Sequence, residues 1–360
     1  MDQTQNQIKE IEEEIRKLPY HKGTERHIGM LRARLAILKD KQIEAASRST
    51  GGGGGYAVKK QGDATVVLVG PPSAGKSTLI NALTNAESKV APYAFTTVSV
   101  IPGMMKYKNA QIQILDVPGL IEGAEEGKGR GREVLSVVRG ADLLVMMSDP
   151  QRLHAITRNS EALERNGIRI NKAVPDIKIE KSISGGLLVH SNIKQELDKE
   201  TIKDVIIQMG IKNGDIYLRE KVTMDQLIDA LSRNRVYIPA LYVVNKIDLG
   251  IPKKLPPELS HGYVGISATK KQDLDRLQAE IWKALGLTTI FLVKPNEEPS
   301  EENPTVVHSN YTLQKVAEEI GSEFVSSKTK AKIWGNGAKF PAQEVSLSTV
   351  VKDGMMVRFI

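Results

Sequence analysis

Apolar residues recur every three to four positions at the start of the chain. Ile8, Ile11, Ile15 and Leu18 share one helical face, and Ile28, Leu31, Leu35 and Leu38 share another. Pro19 to Gly23 breaks the rhythm, so residues 1–46 predict a helical hairpin, followed by a flexible hinge at Gly51 to Gly55. The pattern then changes to short unbroken apolar runs at Val66, Ile112, Leu143, Leu241 and Val264, alternating with helical periodicity. Such runs suit strands buried on both faces, and they predict an α/β domain with a parallel sheet over residues 61–290. Asp149-Pro150 reads as an N-cap with proline at the first helical position, opening a helix that carries Leu153, Ile156 and Leu163.

Two further segments stand apart. From about residue 169 to 235 come strand-like pieces at Ile177 to Ile183 and Leu187 to Val189, then helices carrying Ile202, Val205, Ile206 and Met209, and Leu227, Ile228 and Leu231. They predict a small α/β subdomain inserted into the larger domain. After a helix with Leu274, Leu277, Ile281 and Leu285, residues 291–360 open with Phe291 to Pro295, pass through an amphipathic helix (Leu313, Val316, Ala317, Ile320) and close with Asp353 to Val357. Strand, helix and terminal strand in so short a stretch predict a β-grasp sheet packed on one helix.

Composition narrows the function classes. The 360 residues contain no cysteine, which removes disulfides and thiolate metal sites. No apolar stretch approaches the roughly 20 residues of a membrane span, and the first residues lack a signal-peptide pattern, so a soluble, cytoplasmic protein without a membrane partner is expected. A formal net charge of +7 favours polyanionic partners. Cations are dense from Arg16 to Lys41; a nucleic-acid-facing surface and a solvated face interspersed with glutamates both account for them. His21, His27, His154, His190, His261 and His308 show no ligand spacing.

The chemistry is concentrated in four motifs. Gly70-Pro71-Pro72-Ser73-Ala74-Gly75-Lys76-Ser77 fits G-x-x-x-x-G-K-[ST] and stands between an apolar run and a helix-like stretch that continues through Thr78. Phosphate needs many donors in a small volume; glycines let backbone N–H groups converge, and the helix adds its positive end. Lys76 would reach the β- and γ-phosphates, and Ser77 would ligate Mg²⁺. Asn245-Lys246-Ile247-Asp248 follows the run Leu241 to Val244. The Asp248 carboxylate can accept from both N1–H and N2–H₂ of guanine, a pairing that adenine cannot supply. Asn245 would brace the loop and the stem of Lys246 would cover the base. Asp116-Val117-Pro118-Gly119 follows Ile112 to Leu115, placing a carboxylate for Mg²⁺ and the Gly119 N–H for the γ-phosphate. Ser267-Ala268-Thr269 follows Val264 to Ile266 and offers a backbone N–H to guanine O6.

Together these residues resemble the translation-factor-related GTPases and, within the Obg-like superfamily, the developmentally regulated GTP-binding (DRG) family. Phe95-Thr96-Thr97 resembles the superfamily's switch I, so the resemblance gives Thr97 the role of Mg²⁺ ligand beside Ser77 and Asp116. Asp116 to Ala124, continuing through Gly127 to Arg132, resembles the DRG switch II, and residues 291–360 resemble a TGS domain. The resemblance implies a P-loop GTPase domain, an inserted α/β subdomain, an N-terminal basic hairpin and hinge over 1–60, and a C-terminal TGS domain. It implies GTP hydrolysis with Lys76, Thr97 and Gly119 as catalytic contacts, and a switch engaging ribosomes or RNA, and a regulatory protein, through the arm and the TGS-like end, where Lys328, Lys330, Lys332 and Lys339 lie. Two departures matter. Leu120 occupies the place where many GTPases carry a water-orienting glutamine, which predicts slow intrinsic turnover and gives weight to an alternative, a GTP-dependent scaffold or nucleotide sensor. Glu122, Arg130 and Arg132 are candidates for the missing group. Ser73 stands where potassium-dependent relatives carry asparagine, so K⁺ dependence stays open.

Overall fold

The computed structural model describes residues 2–48, 61–84, 91–92, 99–117, 129–250 and 254–360. The hinge Gly51 to Gly55, the switch I residues Phe95, Thr96 and Thr97, and Pro118 to Gly119 with Leu120 and Glu122 lie outside them. The chain divides into two compact units, one of Met1–Tyr56 with Leu163–Tyr237 and one of Ala57–Ala162 with Ile238–Ile360.

The first unit opens with helices α1 (Asp2–Lys17) and α2 (Lys22–Arg48), the hairpin that the apolar spacing predicts. Ile8, Ile11, Ile28 and Leu31 are buried. The opposite side of α2 is closed by small residues: Ala33 and Ala36 enter a core with Leu187, Val205, Ile206, Ile216 and Leu227 of the inserted segment. Hairpin and insertion therefore share one hydrophobic core.

The second unit begins with β1 (Ala64–Val69), α3 (Lys76–Thr84), β2 (Ala91–Pro92), β3 (Ser99–Tyr107), β4 (Ala110–Asp116), α4 (Gly129–Arg139) and β5 (Leu143–Ser148), and α5 (His154–Arg165) follows. The insertion then adds β6 (Ile168–Ile170), β7 (Ile177–Lys181), β8 (Leu187–Ser191), α6 (Lys199–Gln208), β9 (Gly214–Leu218), α7 (Met224–Leu231) and β10 (Val236–Ile238). Strands β7, β9 and β8 form a sheet in that order, and α7 starts on a reciprocal capping box between Thr223 and Gln226. A buried ion cluster ties the first unit, the hairpin with the insertion, together. Asp229 on α7 receives Arg169 and Arg235, and Arg235 also reaches Asp40 of α2 at 3.0 Å.

With β11 (Ala240–Val244) and β12 (Val264–Gly265) the large sheet is complete, in the order β12-β11-β5-β1-β4-β3-β2. The first five strands run parallel, whereas β3 is antiparallel to β4 and β2 to β3. Every residue of β1 and β5 is buried, as strands covered on both faces require. In such sheets, ligands bind beyond the carboxyl ends of the strands where the connection order reverses. Strands β1, β4, β5, β11 and β12 all deliver a polar loop at that edge.

Helix α8 (Leu274–Ala284) leads to the last sheet, made of β13 (Leu287–Leu292), β14 (Pro304–His308), β15 (Lys330–Gly335), β16 (Gln343–Ser346) and β17 (Met355–Phe359), with α9 (Leu313–Ile320) and α10 (Ser322–Ser326) between β14 and β15. Its order is β14-β13-β17-β15-β16, with β13 and β17 parallel, the β-grasp arrangement. Leu313, Val316 and Ala317 of α9 pack on Ile290, Ile333 and Val357. Strand β13 begins at Leu287, ahead of residue 291, because Leu287 also packs into the core of the large sheet and Thr289 Oγ1 donates to the Lys108 carbonyl. Among the described residues no helix is long and apolar enough to cross a membrane.

Candidate functional site

The loop after β1 and the start of α3 hold Gly70 to Ser77. Gly75 takes φ +90°, and a Cβ there would lie 2.3 Å from Asn245 Nδ2, so only glycine fits. Lys76 is buried, its Nζ donating to the carbonyls of Gly70 and Pro71 at 3.2 Å each. Ser77 Oγ donates to Asp116 Oδ2 at 2.7 Å. The other Asp116 oxygen, Oδ1, is buried without a hydrogen-bond partner, 3.8 Å from Lys76 Nζ. A lone buried carboxylate oxygen beside a hydroxyl and an ammonium is costly unless something binds there, and two hard oxygens suit Mg²⁺. Thr78 is exposed in the first turn of α3, and Val117 is buried.

Asn245 joins three loops. Its Nδ2 donates to Ala74 O at 2.9 Å, its Oδ1 accepts from the Ala268 N–H at 3.0 Å, and its backbone N–H donates to Ser148 O. Lys246 Nζ donates to Ser73 O at 2.7 Å. Ser73 and Lys246 hold φ 61° and 63°, a left-handed conformation that costs an L residue about 1 kcal/mol, and the bond between them helps to hold both. Asp248 sits at the surface beside Ser267 and 3.6 Å from Lys270. A hydrogen bond from Ser267, seconded by Lys270, holds its carboxyl below the ordinary value, so it is ionised at neutral pH and able to accept two donors. Ser267 and Ala268 are buried and Thr269 is exposed.

The geometry thus brings together Gly70 to Thr78, Asp116, Asn245, Lys246, Asp248 and Ser267 to Thr269. A sequence profile described as a 50S ribosome-binding GTPase matches residues 65–179, and one for the C-terminal region of that domain matches residues 184–287. The chain is 43% identical to a GTP-binding protein of Methanocaldococcus jannaschii, covering 99% of this chain and 92% of that one. It is 38% identical to developmentally-regulated GTP-binding protein 1 of Xenopus laevis over 100% of both chains. It belongs to the DRG family. It is also 36% identical to the human developmentally-regulated GTP-binding protein 2, covering 98% of each. Among solved structures it resembles the FeoB G-domain of Methanococcus jannaschii at 18% identity and a TM-score of 0.32, covering 62% of this chain and 97% of that one.

This DRG chain holds one site feature that the sequence reading misplaces. Helix α5 starts at His154, so Asp149 does not cap it; its Oδ1 instead accepts from the N–H groups of Gln151 and Arg152, capping the turn before the helix. Arg152 then folds back, with Nε and Nη2 on Asp149 and Nη1 on Pro72 O at 2.9 Å. The i, i+3 spacing of Asp149 and Arg152 behind a buried strand was the available signal. Arg130 and Arg132, candidates to replace the missing glutamine, fall in the first turn of α4.

Several cations of the arm have acidic partners. Lys22 pairs with Glu25 at 2.9 Å, Arg26 with Asp204, Arg32 with Asp225 at 3.0 Å and Lys39 with Glu12 at 2.7 Å. Arg34 is exposed. On the β-grasp sheet Lys330 and Lys332 lie 3.7 and 3.9 Å from Glu344, Lys328 covers the Phe324 ring, and Lys339 is exposed.

Proposed function

We propose that this GTP-binding DRG protein hydrolyses GTP to GDP and phosphate with Mg²⁺, slowly when alone, and acts in the cytoplasm as a switch on ribosomes or RNA. The observation that carries the nucleotide reading is Asn245, bonded at once to the phosphate loop at Ala74 and to the base-side loop at Ala268. Ser77 and Asp116 would hold Mg²⁺, with Thr97 as a further ligand, and the ion when bound neutralises charge on the phosphate oxygens. Lys76 binds the β- and γ-phosphates; the N–H groups of the loop, led by those around Gly75, surround them; Gly119 N–H meets the γ-phosphate. Asp248 selects guanine, Lys246 covers it, and Ala268 N–H reaches O6. Phosphoryl transfer needs mainly positioning and charge stabilisation, which this set supplies; the attacking water lacks a side-chain guide at Leu120.

Leu120 is also what favours the second reading, a GTP-dependent scaffold with incidental hydrolysis. The ribosome or RNA arm of the proposal rests on the likeness to the 50S ribosome-binding GTPase family and on the cations of the hairpin and of the TGS-like end. Multiple-turnover phosphate release with and without ribosomes separates the two: stimulation supports the switch, and a slow rate unchanged by ribosomes supports the scaffold.

A further inference from the structure

The loop from Gly70 to Ser77 has a depleted donor set. Pro71 and Pro72 carry no N–H, so after Gly70 the first backbone donor is that of Ser73. Across a trans, planar peptide the C=O and N–H point in opposite directions, so the aim of the Pro72 carbonyl sets the aim of the Ser73 N–H. That carbonyl accepts from Arg152 Nη1 at 2.9 Å. Asp149 grips the same guanidinium through Nε at 3.1 Å and Nη2 at 2.6 Å, and is itself oriented by the N–H groups of Gln151 and Arg152. Burial pushes the Asp149 carboxyl up, but Arg152 outweighs it and holds the group below its ordinary value, so the pair stays charged at neutral pH. The next two carbonyls, Ser73 O and Ala74 O, are held by Lys246 and Asn245. Three consecutive carbonyls are thus held by side chains of other loops. Ser73, at φ 61°, would not keep this turn by its own preference.

We propose that Arg152 is a positioning residue for polyphosphate binding: anchored on Asp149, it holds the Pro72–Ser73 peptide so that the Ser73 N–H, the first donor after the two prolines, faces the phosphates. The role rests on the guanine-nucleotide reading and extends it to a residue outside the four motifs. Its structural rival is a cap for the turn that enters α5, which would affect folding and leave nucleotide exchange alone.

The test uses the full chain with fluorescent GDP and a fluorescent non-hydrolysable GTP analogue in stopped-flow. Arg152→Gln should raise the dissociation rate of both by about tenfold, the loss of one charge-assisted hydrogen bond. Arg152→Lys, whose ammonium can still donate to Pro72 O, should recover most of that loss. Guanine-over-adenine preference, read by competition, should stay as in the unaltered chain for both variants, showing that the base side is intact. Unchanged dissociation in Arg152→Gln would overturn the proposal, and so would a Lys variant no better than Gln. If Arg152→Gln does not fold, Asp149→Asn takes its place: it weakens the grip on Nε and Nη2 while leaving Arg152 present, and should raise both dissociation rates by about threefold, whereas unchanged rates would overturn the proposal. Failure of the unaltered chain to bind either probe would instead remove the guanine-nucleotide reading itself.

Discussion

Asn245 satisfies its donor and its acceptor in one place, and both partners are backbone groups of loops that a nucleotide would have to touch. Replacing it with alanine leaves a buried carbonyl and a buried N–H unpaired, at about 1–3 kcal/mol each. Asn245→Ala should therefore weaken GDP and GTP together by at least tenfold, measured by equilibrium titration; a loss confined to GTP would contradict this. Asp248 predicts a pH profile. Because its carboxyl is held below the ordinary 3.8, it keeps its charge above that pH and loses it only as pH falls further. Guanine-over-adenine preference should be flat from about pH 8 to pH 5 and decline only near acid unfolding. A midpoint near neutrality, read by competition binding across pH, would place another titrating group at the base.

At the scale of elements, the hairpin and the insertion stand or fall together. Asp229 is buried between Arg169 and Arg235, and removing a buried partner strands the opposite charges at a cost of about 3–5 kcal/mol. Asp229→Ala should lower the urea midpoint of the transition that reports on this unit while leaving guanine-nucleotide affinity unchanged; an unmoved transition would contradict the role given to the cluster. The elements themselves were legible wherever one period dominated. Ile8 to Leu18 and Ile28 to Leu38 gave the hairpin, and the unbroken runs at Val66, Leu143 and Leu241 gave the buried parallel strands. What periodicity could not show is which surfaces meet. Ala33 and Ala36 are too small to register as an apolar stripe, yet they are where α2 packs on the insertion. Likewise the motif spacing located the phosphate and base loops, but the clasp of Arg152 on Pro72 joins residues 80 positions apart and leaves no local pattern.

For the molecule as a whole, the pairing of hairpin cations, within the hairpin and with the insertion, shifts attention to the other end of the chain. Reversing Arg32 or Lys39 would break contacts to Asp225 and Glu12, so any effect on ribosomes would be mixed with loss of packing. Lys330, Lys332 and Lys339 are at the surface, and exposed pairs such as those with Glu344 contribute about 0–1 kcal/mol, so charge reversal there leaves the fold in place. If these lysines meet single-stranded phosphates, the triple reversal should flatten the dependence of log affinity on log salt by about 0.7 per lost contact in ribosome co-sedimentation. An unchanged slope would remove this surface from the account. The central claim, that the edge of the large sheet binds guanine nucleotide and hydrolyses it, meets its most direct test in phosphate release measured with GTP and with ATP at equal concentration in the presence of Mg²⁺. The account predicts slow turnover of GTP that Asp248→Asn transfers to xanthosine triphosphate, and no turnover of ATP; equal rates with GTP and ATP, unaffected by that substitution, would contradict it.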